Sequence, residues 1–147
     1  VYLGRSHDSS AIHEEVIRTL QDAGPDSRAI ADLRRPAAHS RDALYAGDFP
    51  ALGRSMTEST EAQARLHSAL IGTEARQVIE IAKAHGALGW KVNGAGGEGG
   101  SLTLLCGESS ERKRVLIRDI EQSSEAFRSI PIYLSRNGLR VWRQDLG

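Results

Sequence analysis

The chain has 147 residues, of which 39% are hydrophobic and 26% are charged, so it is long enough to form one domain with its own core. Nineteen lysines and arginines balance nineteen aspartates and glutamates, and this neutral charge disfavours binding to nucleic acid or to an anionic membrane surface. The single cysteine, Cys106, cannot form an internal disulfide, and no apolar stretch approaches the length of a membrane span. We therefore expect a cytoplasmic protein.

The first part of the chain shows the apolar spacing of helices. A first helix is expected after Ser9 or Ser10, since either residue is a suitable N-cap. A second helical stretch follows, and Pro36 is expected to end or kink it because proline removes a backbone donor. Asp48 is a suitable N-cap for a third helix, and a fourth is expected to end at residues 85–86.

The second part of the chain has the pattern of strands. Apart from an opening strand end at residues 1–3, strands are expected at residues 88–93, 101–106, 130–134 and 139–142. Ser109 or Ser110 caps a helix between the second and third of these. The Asn137-Gly138 step favours a hairpin between the last two. This order of elements predicts one α+β domain over residues 1–147.

A glycine cluster separates the strands expected at residues 88–93 and 101–106. Five of the seven residues from Gly94 to Gly100 are glycine, which is unfavourable for stability and typical of a close backbone approach or a positive φ. Successive exposed amides also bind phosphate, whereas the alternative of a flexible hairpin tip needs only one or two glycines. The dinucleotide fingerprint is excluded because a strand, and not a helix, is expected after the glycines.

Two segments of the sequence resemble a known kinase family. The segment Asn93-Gly-Ala-Gly-Gly-Glu-Gly-Gly100 before an apolar strand resembles the third motif of the GHMP kinases, which include galactokinase, homoserine kinase and mevalonate kinase. The opening Leu3-Gly-Arg-Ser-His-Asp-Ser-Ser10 resembles the heptose-7-phosphate kinase and sugar kinase branch. The likeness covers essentially the whole chain, but only as the C-terminal half of such an enzyme.

The resemblance implies a fold and an activity. The fold is a ferredoxin-like antiparallel sheet backed by several helices. The activity is ATP-dependent phosphoryl transfer to a sugar or sugar phosphate, with ATP and Mg²⁺ as cofactors. In this family the phosphate loop and the catalytic carboxylate lie in an N-terminal domain. Neither motif occurs between Val1 and Gly147, so no catalytic residue is expected in this chain and its main partner is that N-terminal kinase domain.

The resemblance also assigns residues to two sites. Support of the ATP phosphate loop is assigned to Gly94, Ala95, Gly96, Gly97, Gly99 and Gly100. Contact with the acceptor substrate is assigned to Arg5, Ser6, Asp8, Ser9 and Ser10. The alternative for the serines is helix capping, and the alternative for the arginine is an ordinary solvated surface position. Glu98 replaces a glycine of the family pattern and would repel phosphate unless it points outward or meets Mg²⁺ or a basic group.

A second interpretation of the sequence is a domain without catalytic activity. An α+β domain of this size could bind a small ligand or join subunits without catalysing a reaction. The five histidines do not fall at metal-ligand spacing, so no metal site is expected. No packing partner for the glycine cluster can be identified within the chain, so the cluster is expected to pack against another domain.

Overall fold

The computed structural model describes residues 1–5, 10–24, 27–94, 96–133, 137–138 and 140–143. The helices in this part of the chain are α1 (Ser10–Ala23), α2 (Arg28–Ala46), α3 (Phe49–Leu66), α4 (Thr73–Ala84) and α5 (Ser110–Ser123). The strands are β1 (Gly89–Val92) and β2 (Leu102–Leu105), and a 3-10 turn, Ser68–Leu70, precedes α4. The predicted α+β class, an antiparallel sheet backed by helices, is confirmed.

The sheet is built around the antiparallel pair β1 and β2, in which Gly89 lies opposite Leu105 and Val92 opposite Leu102. The N-terminal segment, residues 1–3, pairs with the start of β2. The Leu102 amide donates to the Val1 carbonyl at 2.9 Å. Tyr2 in turn pairs with both Ser101 and Arg128 through isolated bridges. The sheet is therefore widened by short backbone contacts at one end.

The main hydrophobic core lies between this sheet and the helices α4 and α5. α4 turns Ala75, Val78, Ile79 and Ala82 inward, at the spacing of one helix face. α5 contributes Leu116 and Ile120. The remaining core members are Leu3, Ile71, Val92, Leu102 and Phe127. Segments that are far apart in the sequence thus pack around α4. This packing fixes the end of β1 at Val92 and the start of β2 at Leu102.

The helices α2 and α3 form a hairpin, and α3 packs on β1. The buried residues of α3 are small or polar: Gly53, Ser55, Thr60, Ala62 and Gln63. The Thr60 hydroxyl donates to the Trp90 carbonyl at 3.2 Å and accepts from the Val92 amide at 3.3 Å. A Cβ added to Gly53 would overlap the Leu88 carbonyl, and one added to Gly89 would overlap the Gly53 backbone. The helix and the strand are therefore in backbone contact.

The predicted caps at Asp48 and Ser109 are confirmed, and the predicted end of a helix at Pro36 is wrong. Asp48 accepts the Ala51 amide at 2.8 Å, and Ser109 accepts the Arg112 amide at 3.3 Å. By contrast, α2 runs without interruption through Pro36, which is buried inside the helix. Because α2 packs against α3, tertiary contact offsets the one hydrogen bond that the proline removes.

The predicted C-terminal strand pair is also wrong. Residues 130–133 and 140–143 are described and lie outside any strand, while Asn137 is in a turn. Pro131 has no amide to donate, and the first residues of β2 already pair with residues 1–3. Residues 134–136 and 139 lie outside the described part of the chain. Among the described helices, none is long and apolar enough to cross a membrane.

Candidate functional site

The glycine loop, residues 93–101, connects β1 to β2. Its described glycines have φ values of 61° at Gly94, 71° at Gly96, 89° at Gly97, 83° at Gly99 and 75° at Gly100. This left-handed backbone is strained for residues with a side chain, which accounts for the glycines. The predicted positive φ values are confirmed. Ala95 lies outside the described residues.

One side of the loop packs against the segment that leads into α4. The Gly97 amide donates to the Leu70 carbonyl at 2.8 Å, and Gly97 pairs with Ile71 as an isolated parallel bridge. A Cβ on Gly96 would overlap the Leu70 carbonyl and lie 3.2 Å from the Gln63 side-chain nitrogen. The expectation that the cluster has no packing partner in this chain is therefore wrong.

The other side of the loop contacts the N-terminal segment. The Gly100 amide donates to the Arg5 carbonyl at 2.8 Å, and the Leu3 amide donates to the Gly100 carbonyl at 3.0 Å. A Cβ on Gly99 would lie 2.6 Å from the Arg5 Cγ. The loop is thus held from two sides by backbone contacts at which no side chain fits.

Arg5 links the loop to α4 through two ion pairs. Its Nη2 donates to Glu74 Oε1 at 2.7 Å and to Glu98 Oε2 at 2.8 Å. Glu74 lies in the first turn of α4, and its own backbone amide and Arg5 lower the pKa of its carboxyl. Glu98, the residue that departs from the family pattern, therefore meets a basic group, which is one of the arrangements expected above.

The residues predicted to contact the acceptor are only partly described. Arg5 lies beside the glycine loop and is 54% exposed, with two carboxylates and one guanidinium in the cluster. Both ion pairs use the same nitrogen, Nη2, so an acceptor phosphate at Arg5 would also meet two carboxylates. Ser6, Asp8 and Ser9 lie outside the described residues. Ser10 begins α1, and its side chain is not described.

Several loop amides already have acceptors within the chain. The Gly96 amide donates to the Asn93 carbonyl at 3.4 Å, and those of Gly97 and Gly100 donate as given above. These amides are not available to form a phosphate-binding nest. The loop is accordingly better suited to present a fixed backbone surface than to surround a phosphate group.

The base of the loop is fixed by a network that the sequence analysis missed. Gln63, buried in α3, donates to the Gly94 carbonyl at 3.1 Å and accepts from Lys91 Nζ at 2.9 Å. Asn93 donates to the Ser101 hydroxyl at 3.0 Å. Gln63 lies seven residues after the apolar Met56 on α3, so helical spacing was the available signal.

A cleft of about 300 Å³ opens beside the glycine loop. Helices α1, α2 and α3 form its walls together with the end of β1. Its lining residues are Val16, Ile17, Leu33, Ser59, Gln63, Leu66, Leu70, Lys91 and Gly94. The cleft therefore shares Gln63, Leu70 and Gly94 with the structure that supports the loop.

The described histidines face single carboxylates. His67 lies 3.3 Å from Glu15, and His85 lies 3.0 Å from Asp119. In the described part of the chain, no three His, Cys, Asp or Glu residues are grouped so that they could hold a metal ion. Cys106 is half-buried, and this burial raises the pKa of its thiol.

The fold and the loop define the class of domain: an α+β unit in which a glycine-rich connection between two strands is held against the start of a helix. The sequence model of the family described as GHMP kinases C terminal matches residues 40–119. This match covers more than half of the chain and includes α3, α4, both strands and the glycine loop. The chain belongs to the C-terminal domain family of the GHMP kinases.

A solved structure supports the same fold. The chain is similar to mevalonate kinase of L. major, whose crystal structure is a complex with R-mevalonate, with a TM-score of 0.70 and 21% identity. The similarity covers 86% of this chain and 38% of the mevalonate kinase chain. This chain therefore corresponds to well under half of that protein's length. No curated protein matches the sequence.

Proposed function

We propose that the full-length protein is an ATP-dependent kinase that transfers phosphate to a hydroxyl group of a small molecule, and that this chain is its C-terminal domain. The family match over residues 40–119 carries the proposal, because it spans the glycine loop and the helices that hold it. The finer proposal for the acceptor is a sugar or sugar phosphate, which rests on the resemblance of residues 3–10 to the heptose-7-phosphate kinase branch.

In this proposal the glycine loop supports the phosphate loop of the N-terminal kinase domain. The supporting residues are Gly94, Ala95, Gly96, Gly97, Gly99 and Gly100. The internal hydrogen bonds of Gly97 and Gly100 favour such a role, because they fix the backbone that would face the other domain. A fixed surface contributes to phosphoryl transfer by positioning the reacting groups.

The described residues do not by themselves fit ATP and Mg²⁺. Amides of the glycine loop are used internally, and the Arg5 guanidinium is paired with Glu74 and Glu98. The described residues also lack a cluster that could hold a metal ion. We therefore assign ATP and Mg²⁺ to the N-terminal domain of the proposed enzyme and derive no reaction step through them from this chain.

The acceptor site is proposed at the N-terminal segment. Arg5, Ser6, Asp8, Ser9 and Ser10 are its proposed members. Arg5 could bind an acceptor phosphate if that phosphate replaced the exposed Glu98 carboxylate, whose side chain is 68% exposed. The serines and the aspartate could bind acceptor hydroxyl groups.

The proposal is tested by assaying ADP release by the full-length protein with MgATP and a panel of sugars and sugar phosphates. R-mevalonate is added to the panel because the similar structure contains it. Turnover with a sugar or sugar phosphate is the expected result. Turnover with mevalonate alone would support the kinase and overturn the sugar assignment. A folded protein without turnover on any acceptor would favour the non-catalytic module instead.

The separate 147-residue chain provides a second test. We expect it to fold and to show no ATP-dependent kinase activity, because the phosphate loop and the catalytic carboxylate motif are not in its sequence. Calorimetry with MgATP should detect only weak binding. Turnover or micromolar MgATP affinity of this chain would mean that the half-enzyme interpretation is wrong.

A further inference from the structure

The cleft beside the glycine loop has the size and the walls of a small-molecule site. Its volume of about 300 Å³ is at the lower end of the range for ligand pockets, about 300–1,000 Å³. Most of its lining side chains are aliphatic: Val16, Ile17, Leu33, Leu66 and Leu70. A hydrocarbon group of modest size would therefore gain apolar contacts there.

Lys91 places a positive charge in this apolar wall. Its side chain is half-buried, and Nζ donates to Gln63 Oε1 at 2.9 Å and to the Val92 carbonyl. Both acceptors are neutral, and within the described residues no carboxylate is close enough to form an ion pair with Lys91. Lys83, in contrast, pairs with Glu80 at 2.6 Å.

An uncompensated charge in a partly dehydrated cleft is energetically unfavourable. Burial accordingly lowers the pKa of Lys91. A lysine ammonium has three N–H donors, of which two are used by Gln63 and Val92, so one donor remains. A carboxylate or phosphate oxygen at that donor would form a charge-assisted hydrogen bond, which is stronger than a bond between neutral groups.

We propose that the cleft binds a small organic anion with a compact apolar body, whose acid group pairs with Lys91 and whose body contacts Leu33 and Leu70. A polyol is a poor occupant because its hydroxyl groups would lose their hydrogen bonds to water against the aliphatic walls. The site goes beyond the proposed kinase activity, since binding here requires neither nucleotide nor phosphoryl transfer.

Equilibrium binding to the full-length protein tests the site. Calorimetry compares hexanoate, hexyl phosphate and hexanol as probes, so that the carboxylate, the phosphate and the neutral body are measured separately. At least one anion should bind about tenfold or more tightly than hexanol. Lys91→Met should remove that advantage and leave the affinity for hexanol unchanged, whereas Lys91→Arg should retain most of it.

Three further variants make the result specific. Lys113→Met removes an exposed lysine on α5 and should leave anion binding unchanged. Ile17→Glu adds a negative charge at the cleft and should weaken anion binding, whereas Leu44→Glu makes the same change at an exposed residue outside the cleft. Melting curves establish that each variant is folded. If Lys91→Met does not fold, the anion affinity of Ile17→Glu tests the site in its place.

Three results would overturn the proposal. The first is equal affinity of the wild-type protein for hexanol and for both anions. The second is unchanged anion affinity in folded Lys91→Met. The third is an equal loss in Lys113→Met, which would indicate a general effect of charge. None of these results depends on kinase activity, so failure here is distinguishable from failure of the proposed function.

Discussion

The two sides of the domain are stabilised in different ways. The helices α4 and α5 and the sheet bury large apolar side chains, among them Val78, Leu102, Ile120 and Phe127. The α2–α3 hairpin buries mainly small or polar residues and approaches β1 so closely that a Cβ on Gly53 would overlap the strand. The stability of the α4–α5 side depends on the apolar area removed from water. The stability of the hairpin side depends on close backbone contact and on hydrogen bonds.

The glycine loop lies where these two sides meet. It accepts a hydrogen bond from Gln63 of the hairpin and donates one to Leu70, which precedes α4. Arg5 adds ion pairs to Glu74 and Glu98. The position of the loop therefore depends on both kinds of packing, and substitutions on each side can separate their contributions.

The largest expected effect is on the apolar side. Phe127→Ala should reduce the free energy of unfolding by about 3–5 kcal/mol, because it leaves a cavity in the core. Phe127 is 1% exposed, whereas Tyr133 is 88% exposed, so Tyr133→Ala is the matched control and should have little effect. Urea denaturation measures both. A loss below about 1 kcal/mol for Phe127→Ala would contradict the assignment of the core.

A smaller loss of stability, together with a loss of function, is expected at the loop. Gly96→Val combines overlap with the Leu70 carbonyl and a β-branched side chain at a φ of 71°. Strained backbone alone costs about 1–3 kcal/mol, so the melting temperature should fall. The proposed phosphoryl transfer by the full-length protein should be largely lost, because the loop must move away from Leu70.

Gly107→Val is the control for this substitution, since Gly107 has open space around it and no left-handed backbone. It should leave both the melting temperature and the activity close to those of the wild type. Near-normal activity of a folded Gly96→Val protein would show that the loop has no role in the reaction.

On the hairpin side, a hydroxyl pair should have an effect of about 1 kcal/mol. Ser55 donates to the Leu52 carbonyl at 2.8 Å and lies 2.7 Å from the Ser40 hydroxyl, which joins α3 to α2. Ser40→Ala and Ser55→Ala should therefore be non-additive in a double-mutant cycle of unfolding free energies. Strict additivity would show that this contact does not stabilise the hairpin.

The smallest expected effect depends on pH. The lowered pKa of Glu74 means that its carboxylate stabilises the fold above about pH 4.3, where an unfolded glutamate is ionised, and that this contribution is lost as the pH falls through the folded pKa. Glu74→Gln should thus be less stable than wild type near neutral pH, by about 0–1 kcal/mol, and the two should converge in acid. Glu80→Gln, at an exposed residue of the same helix, is the control for thermal melts across this range.

Local patterns predicted the fold well. The caps at Asp48 and Ser109 act on amides three residues away, and the inward face of α4 follows from helical spacing. The helix end predicted at Pro36 was wrong because packing of α2 on α3 overrides the local effect of the proline. The C-terminal strands were predicted wrongly because a strand forms only where a sheet edge is free to pair with it. The alternation of apolar and polar residues along a segment gives no information about such an edge.

The candidate site could be predicted only in part. The positive φ values followed from the glycine run itself. The partners of the loop did not, since Arg5 and Glu98 are 93 residues apart in sequence, and only the folded chain brings them together. The contact between Lys91 and Gln63 was missed for the same reason, because nothing local in the sequence of β1 indicates that Lys91 meets a buried glutamine of α3.

The contact between Gly53 and Gly89 has a consequence for the evolution of this domain. The atoms that exclude a side chain at Gly53 include the backbone of Leu88, and those at Gly89 belong to the backbone of Gly53. Because backbone atoms are the same for every residue type, a change at one position does not create room at the other. A substitution at one of these glycines therefore cannot be compensated by a substitution at the other. A larger residue at either site requires α3 to move away from β1.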